Sequence, residues 1–355
     1  MARRKTLLQL LDEMEPTIRA AFLEAMKNIR DDVILADLVD AIRRRDIEAA
    51  VRAIPLGAEY LGPLDRALLT SYRDGGAWAA ATFVAMAKAQ GARVAVRFDV
   101  RNPRAERFAA EMSSRLVTEV LEETKESLRQ VLVMGMRSGT APSTAALDIV
   151  GRSPSPGKPR QGGIIGLRSD QIAQRDNVRA ILSDPARVSE YFVKDRATGK
   201  LKPRYKSTDR RFDAKVKRAI REGTSVAASD VRALSVLHSN RLLRERGKMV
   251  ARTELLSSLS DAQNEAMQQM IDRGDVTAGQ VSSRWDSSEG KDTRPSHRAM
   301  DDQVQPYGQP FVSGDGFLLL YPGDRSLGAP AGEIINCRCA RVMDVDFVAG
   351  LRRGD

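Results

Sequence analysis

The spacing of apolar residues constrains the fold of this chain more than any other feature. These residues recur every three or four positions through most of the first 150 residues, which places them on one face of an α-helix. Aromatic residues make up only 5% of the chain, so the core must be mostly aliphatic. In the first such stretch the apolar positions are Leu7, Leu11, Met14, Ile18, Phe22, Met26 and Ile29. The pattern predicts a mainly α-helical N-terminal region.

Proline and glycine predict where these helices begin and end. Pro16 should interrupt the first helix or start a new one, because proline has no amide hydrogen to donate to the preceding turn. Gly75 and Gly76 should break a later one. Asn102 and Pro103 suit the cap and first turn of a long helix. The predicted helices cover residues 6–30, 33–54, about 60–75, 78–89 and about 102–136.

Residues 151–166 interrupt this pattern with a run rich in Gly, Pro and Ser, which is typical of a loop or linker. The run is not a phosphate-binding loop. Five residues separate Gly151 from Gly157, and Pro159 follows Lys158, where the Walker pattern requires four residues and a Ser or Thr. We therefore predict a hinge.

Beyond the hinge, the sequence predicts helices separated by glycines and then a change of pattern. A polar loop is predicted at 194–211, followed by helices over 212–221 and from Ser229 towards Gly247, and a separate helix over 248–271. After Gly274 the chain alternates, which predicts short strands at 281–285, 317–321 and 340–346. The fold class is a mainly α N-terminal region with a small α+β C-terminal domain. The predicted domains are 1–150 (helical), 151–247 (linker and basic helical region) and 248–355 (α+β).

Positive charge is concentrated in one segment of the chain. Between residues 194 and 252 there are 18 Lys and Arg against 6 Asp and Glu, a local balance of +12 within a total of +10. Such density favours a polyanionic partner, most often nucleic acid. The alternative is a solvated helical surface, since no aromatic residues interleave with the charges. The candidate contacts to nucleic acid are Lys202, Arg204, Lys206, Arg210, Arg211, Lys215, Lys217 and Arg218.

Two compositional features exclude other classes of protein. No apolar run approaches the ~20 residues of a membrane helix, and the basic N-terminus makes a poor signal peptide, so no membrane partner is predicted. Two cysteines in 355 residues give no disulfide framework. Folding in a cytoplasm is therefore predicted.

Rare residue types are concentrated between residues 249 and 342, which hold both Cys, one of the two Trp and one of the two His. The motifs, in order, are ARTE at 251–254, Trp285, TRPSH at 293–297, a Pro-Gly-Asp turn at 322–324 and NCRC at 336–339. This order resembles the phage head morphogenesis family, the minor head proteins of tailed phages that are similar to Mu protein F. Segments at 160–167 and 209–213 also look similar to the longer members, so the resemblance covers nearly the whole chain.

The resemblance implies a virion component present in few copies. It would act in head assembly, in the host cytoplasm, and lie in the head near the portal vertex. The implied partner is the portal protein, with scaffold protein, major capsid protein and packaged DNA as further candidates. Within the motifs, Trp285 is predicted to anchor the core of the small domain. An ion-pair network is predicted among Arg252, Glu254, Asp292 and Arg294.

The cysteines suggest one cofactor, zinc. Cys337 and Cys339, with His297 and either Asp292 or Asp324, could supply four zinc ligands. The usual spacing is Cys-x₂-Cys. The residues alone therefore favour the alternative, in which two reduced cysteines pack as small apolar groups and His297 bonds to its own turn.

Catalysis is the last alternative. One thiolate activated by His297 and oriented by Asn336 could act as a nucleophile. The chain has no paired-carboxylate or multi-His motif. The sequence therefore predicts a structural assembly protein with no catalytic residues. The alternative is a metal-dependent nuclease or hydrolase centred on His297, Cys337 and Cys339.

Overall fold

A computed structural model of the chain describes residues 5–155, 157–287, 290 and 293–349. Its α-helices are α1 (Leu7–Asp31), α2 (Leu35–Arg43), α3 (Ile47–Arg52), α4 (Gly62–Ala89), α5 (Pro103–Arg137), α6 (Pro142–Val150), α7 (Ser169–Ser183), α8 (Asp213–Glu222), α9 (Ala228–Asp272), α10 (Pro295–Arg298) and α11 (Ala331–Ile334). Its strands are β1 (Phe192–Lys194), β2 (Leu201–Pro203), β3 (Val281–Asp286), β4 (Val304–Pro306), β5 (Phe311–Val312), β6 (Leu318–Leu319) and β7 (Ala340–Val345). Single 3-10 turns lie at Ala58–Leu61, Val188–Tyr191, Arg210–Phe212 and Ala278–Gln280. The predicted fold class is confirmed.

The chain packs as two compact units, each assembled from separate stretches. The described residues of Met1–Ala21, Pro63–Arg115 and Lys248–Asp355 form the first unit. Those of Phe22–Gly62 and Leu116–Gly247 form the second. This grouping by contacts is a different kind of division from the three consecutive segments predicted from the sequence, with which it shares the boundary at Lys248. None of the described helices is long and apolar enough to cross a membrane.

The predicted interruption at Pro16 is wrong, because α1 continues through it. Pro16 is exposed, and so is Asp12, the residue whose carbonyl loses its amide partner, so water can satisfy that carbonyl. The helix predicted over 33–54 is instead two helices. Asp46 caps α3 by accepting a hydrogen bond from the Ala49 amide at 2.8 Å, and Arg45 before it adopts a left-handed φ of 58°.

The predicted break at Gly75 and Gly76 is also wrong, because both lie inside the continuous helix α4. A Cβ atom on Gly75 would lie 2.6 Å from Cδ2 of Leu259, and one on Gly76 would lie 2.2 Å from the Phe98 ring. These glycines therefore allow close approach within the first unit rather than ending the helix.

Helix α9 runs without interruption through Gly247, so the two helices predicted there are one. The residue beside this glycine explains the continuity. Arg246 is 1% exposed and donates to the Gly166 carbonyl and to Glu123, each at 2.8 Å. A helical glycine costs roughly 1 kcal/mol relative to alanine, and buried contacts of this kind outweigh that cost.

The second unit contains a small core beside a hairpin that the sequence did not predict. The stretch 194–211 was expected to be a loop, but β1 and β2 pair antiparallel, with Phe192 opposite Pro203. Asp195 sets the turn by accepting hydrogen bonds from the amides of Ala197 and Thr198. The hairpin packs with α7, α8 and the start of α9 around Val178, Ile181, Leu182, Val188, Tyr191, Val216 and Leu234. The predicted loop at 151–166 is irregular, apart from one bridge between Arg152 and Gln161.

The first unit contains the small β region. Strands β4, β3 and β7 form an antiparallel sheet in that order, and β5 pairs with β6. The predicted strands at 281–285 and 340–346 are confirmed as β3 and β7. One face of this region packs on α4 and the end of α9 through Phe83, Met267, Met270, Val281, Met343 and Val345. This packing positions the site.

Candidate functional site

The fold brings together three of the predicted site residues, His297, Cys337 and Cys339. His297 lies on the one-turn helix α10, and the cysteines lie in the irregular segment just before β7. The Nδ1 atom of His297 is 3.3 Å from Sγ of Cys337 and 3.5 Å from Sγ of Cys339. The three side chains are only 1–2% exposed.

The ring of His297 is held by packing on one side. Trp285, on β3, is fully buried and meets the imidazole edge-to-face at a centroid distance of 5.4 Å. Phe311 packs against the same tryptophan at 5.3 Å. Pro295 occupies the first position of α10, where a missing amide hydrogen costs nothing. Trp285 therefore lies at the centre of the small region and fixes the histidine.

The cysteine segment is held by the ARTE motif of α9. The guanidinium of Arg252 donates to the Cys337 carbonyl at 3.3 Å, and the Asn336 amide donates to Oγ1 of Thr253 at 2.9 Å. Arg294 donates to the carbonyl of Ile335. Three motifs far apart in the sequence thus meet around one loop.

A glutamate that sequence reasoning missed completes the cluster. Oε2 of Glu333, on α11, is 2.7 Å from Nε2 of His297 and accepts a hydrogen bond from the Ser296 hydroxyl at 3.2 Å. Glu333 is 4% exposed. It lies 36 residues after His297, at no recognised ligand spacing, so no signal in the sequence could have pointed to it. The imidazole is therefore flanked by two sulfurs at one nitrogen and a carboxylate at the other.

The two thiols differ in acidity. The hydrogen bond between the two side chains lowers the pKa of Cys337, and a hydrogen bond from the Cys339 amide, with a sulfur–nitrogen distance of 3.4 Å, acts in the same direction. The same side-chain hydrogen bond and burial raise the pKa of Cys339. Cys337 is thus the thiol that loses its proton first.

The arrangement has two possible chemical uses. A thiol, an imidazole and a carboxylate in this order resemble the parts of an activated nucleophile. A nucleophile must reach a substrate, however, and all four side chains are at most 4% exposed. Two sulfurs and one imidazole nitrogen are also the atoms that bind zinc.

The carboxylates proposed from the sequence as zinc ligands do not take part in this way. Asp292 lies outside the described residues. Asp324 is buried, but its oxygens accept hydrogen bonds from the Leu320 amide and from the amide and hydroxyl of Ser326. Asp324 therefore stabilises its own turn.

The structure gives the other motif residues partners outside the predicted ion-pair network. Glu254 is 3% exposed and forms ion pairs with Arg115 at 3.1 Å and Arg325 at 3.2 Å. Arg252 pairs with Asp12 at 3.4 Å. These pairs, like the Arg252 bond to Cys337, lie within the first unit.

All eight basic residues proposed to contact nucleic acid are exposed, on or beside β2 and α8 of the second unit. Four of them pair with nearby aspartates: Lys202 with Asp195, Arg210 with Asp213, Arg211 with Asp209 and Lys215 with Asp230. Among the described residues, no acidic group forms an ion pair with the other four, Arg204, Lys206, Lys217 and Arg218. This surface therefore keeps uncompensated positive charge.

Comparison with known proteins supports the resemblance. The model of the family described as Phage Mu protein F like protein matches residues 210–342. The match includes every motif from ARTE to NCRC. Searches of curated proteins and of solved structures found no significant match. The family indicates a phage head morphogenesis protein. The segment 210–342 of this chain belongs to the Phage Mu protein F like family.

Proposed function

We propose that this protein is a minor structural component of a tailed-phage head, bound at or near the portal vertex and acting without catalysis. The observation that carries the proposal is the use of the family motifs. Arg252 and Thr253 hold the loop of Asn336 and Cys337, and Trp285 lies in the core. Residues used in this way preserve a fold, as expected of an assembly protein.

An exposed apolar patch on the β5–β6 pair offers a surface for the portal partner. The patch consists of Val304, Val312, Phe317 and Leu318, which are 59%, 44%, 40% and 41% exposed. Val312 and Leu318 are directly opposite in the strand pair. The Gln303 side chain bonds to both the amide and the carbonyl of Val312, which ties the neighbouring Val304 to the same place. Contiguous exposed apolar groups mark protein interaction sites.

A double variant tests this surface. We expect Val312→Asp with Leu318→Asp to abolish co-purification with the portal protein from an infected-cell lysate, because two charges would be desolvated in the interface. The matched control is Leu201→Asp, an exposed leucine (65%) on the β1–β2 hairpin of the second unit. Retained portal binding by the double variant, or equal loss in the control, would reject this surface.

Contact with packaged DNA forms the second part of the proposal. Its support is the exposure of all eight basic side chains and the four that lack an acidic partner among the described residues. Binding of this kind would be independent of sequence, because the chain would neutralise phosphates rather than contact base edges.

A hydrolase or nuclease is the second candidate, because Cys337, His297 and Glu333 are in the order of a nucleophile, base and orienting acid. His297→Ala separates the two functions. For a structural protein, thermal stability and portal binding should decline together. A His297→Ala variant that folds and binds the portal but yields no infectious particles would favour the enzyme.

A further inference from the structure

We propose that His297, Cys337 and Cys339 bind one zinc ion, which fastens α10 to the segment before β7. The distances support this assignment. A tetrahedral zinc with Zn–S near 2.3 Å and Zn–N near 2.0–2.1 Å separates nitrogen and sulfur ligands by about 3.5 Å. The two Nδ1–Sγ distances are 3.3 and 3.5 Å. The three ligand atoms all lie within 4.8 Å of one another.

The donor set selects the class of metal. Thiolate and imidazole ligands suit zinc, whereas magnesium and calcium require oxygen. A neutral Nδ1 accepts one hydrogen bond, yet two sulfurs converge on it, as ligands around one ion do. On binding, each thiol releases its proton to solvent, and two thiolates balance the charge of a divalent ion.

Glu333 acts as a positioning residue rather than a ligand. Its carboxylate lies at Nε2, on the opposite side of the ring from the sulfurs, at 2.7 Å. A carboxylate there favours the tautomer with a proton on Nε2, so the lone pair of Nδ1 faces the metal. The Ser296 hydroxyl in turn holds this carboxylate. A histidine ligand supported by a carboxylate in this manner is common at zinc sites.

The location of the site explains what the ion does. Helices α10 and α11 have four residues each, and strands β5 and β6 have two. Elements this short are unstable alone, because helix nucleation is unfavourable and two-stranded pairs are marginal. A metal bound only by the folded chain adds its binding free energy to folding.

The test uses the full chain, purified under reducing conditions without chelator. We expect one zinc per chain by elemental analysis. After chelator treatment, added Co²⁺ should give a thiolate-to-cobalt charge-transfer absorption, which added Zn²⁺ removes. Cys337→Ser and Cys339→Ser should each lose this absorption. Glu333→Gln should keep it with a roughly 10- to 100-fold weaker affinity.

The matched control is His238→Gln, the other buried histidine, which bonds to Ser207 in the second unit. It should bind one zinc like the wild type. Should the serine variants fail to fold, the wild type decides alone. A reduced wild-type chain that binds neither zinc nor cobalt would overturn the proposal, and so would a cobalt complex without thiolate charge transfer. Neither result bears on portal binding, which the patch variants test.

Discussion

At the residue scale, Asp261 of α9 links packing to pH. Its carboxylate accepts hydrogen bonds from the hydroxyls of Tyr72 and Tyr321, each at 2.9 Å. Desolvation raises the pKa of Asp261 to about 6, because burial disfavours its charged form more than the two hydroxyls favour it. An acid whose pKa is higher in the folded than in the unfolded state stabilises the fold most below its unfolded pKa, near 3.9. That contribution is lost as the pH rises through 6.

We therefore expect this group to lower the free energy of unfolding by about 2 kcal/mol between pH 4 and pH 7. Asp261→Asn should remove that part of the pH dependence, as measured by urea unfolding across the range. Asp344→Asn, which changes an exposed carboxylate on β7, serves as the control and should keep the wild-type profile. Parallel profiles for the wild type and Asp261→Asn would contradict this assignment.

At the element scale, two helical glycines should respond to alanine in opposite directions. Gly75→Ala places a Cβ atom 2.6 Å from the fully buried Leu259, and we expect a loss of about 1–3 kcal/mol from overpacking. Gly135 lies within α5, where an added Cβ atom would meet no described atom within 4 Å outside its own stretch of helix. Gly135→Ala should therefore gain about 0.5–1 kcal/mol of helix propensity. Thermal unfolding of both variants provides the measurement. A stabilised Gly75→Ala variant would mean that α4 does not need this close approach.

At the scale of the whole molecule, the basic surface predicts salt-dependent DNA binding. Replacing four basic residues of the second unit by Gln should weaken binding and reduce the slope of log affinity against log salt by about 3–4, because four fewer phosphates are neutralised. Fluorescence anisotropy with duplexes of unrelated sequence measures the effect. The replaced residues are Arg204, Lys206, Lys217 and Arg218.

The control removes the same charge from the first unit. It replaces four exposed arginines by Gln, and its slope should stay close to that of the wild type. Equal weakening in both quartets would indicate a response to net charge alone, and absence of binding at low salt would reject DNA contact. The control residues are Arg93, Arg97, Arg101 and Arg107.

Local pattern determined the types of elements in this protein. Apolar steps of three and four predicted the N-terminal helices, and alternation predicted β3 and β7, because the side chains an element buries must share one face. Asn102 and Pro103 predicted the start of α5 for a similarly local reason, since a cap contacts only its own first turn. The motif order also pointed to the family and grouped His297 with the two cysteines.

Only the tertiary structure decided which surfaces meet. Gly75 and Gly247 resemble helix breaks in the sequence, but contacts with residues distant in the chain keep both helices continuous. Glu333 reaches His297 across 36 residues, and Asp261 accepts from a tyrosine 189 residues away. No periodic pattern encodes such pairs, because each depends on how separate elements pack. The sequence alone could therefore suggest the atoms that bind a metal, whereas the group that orients the imidazole was set by packing.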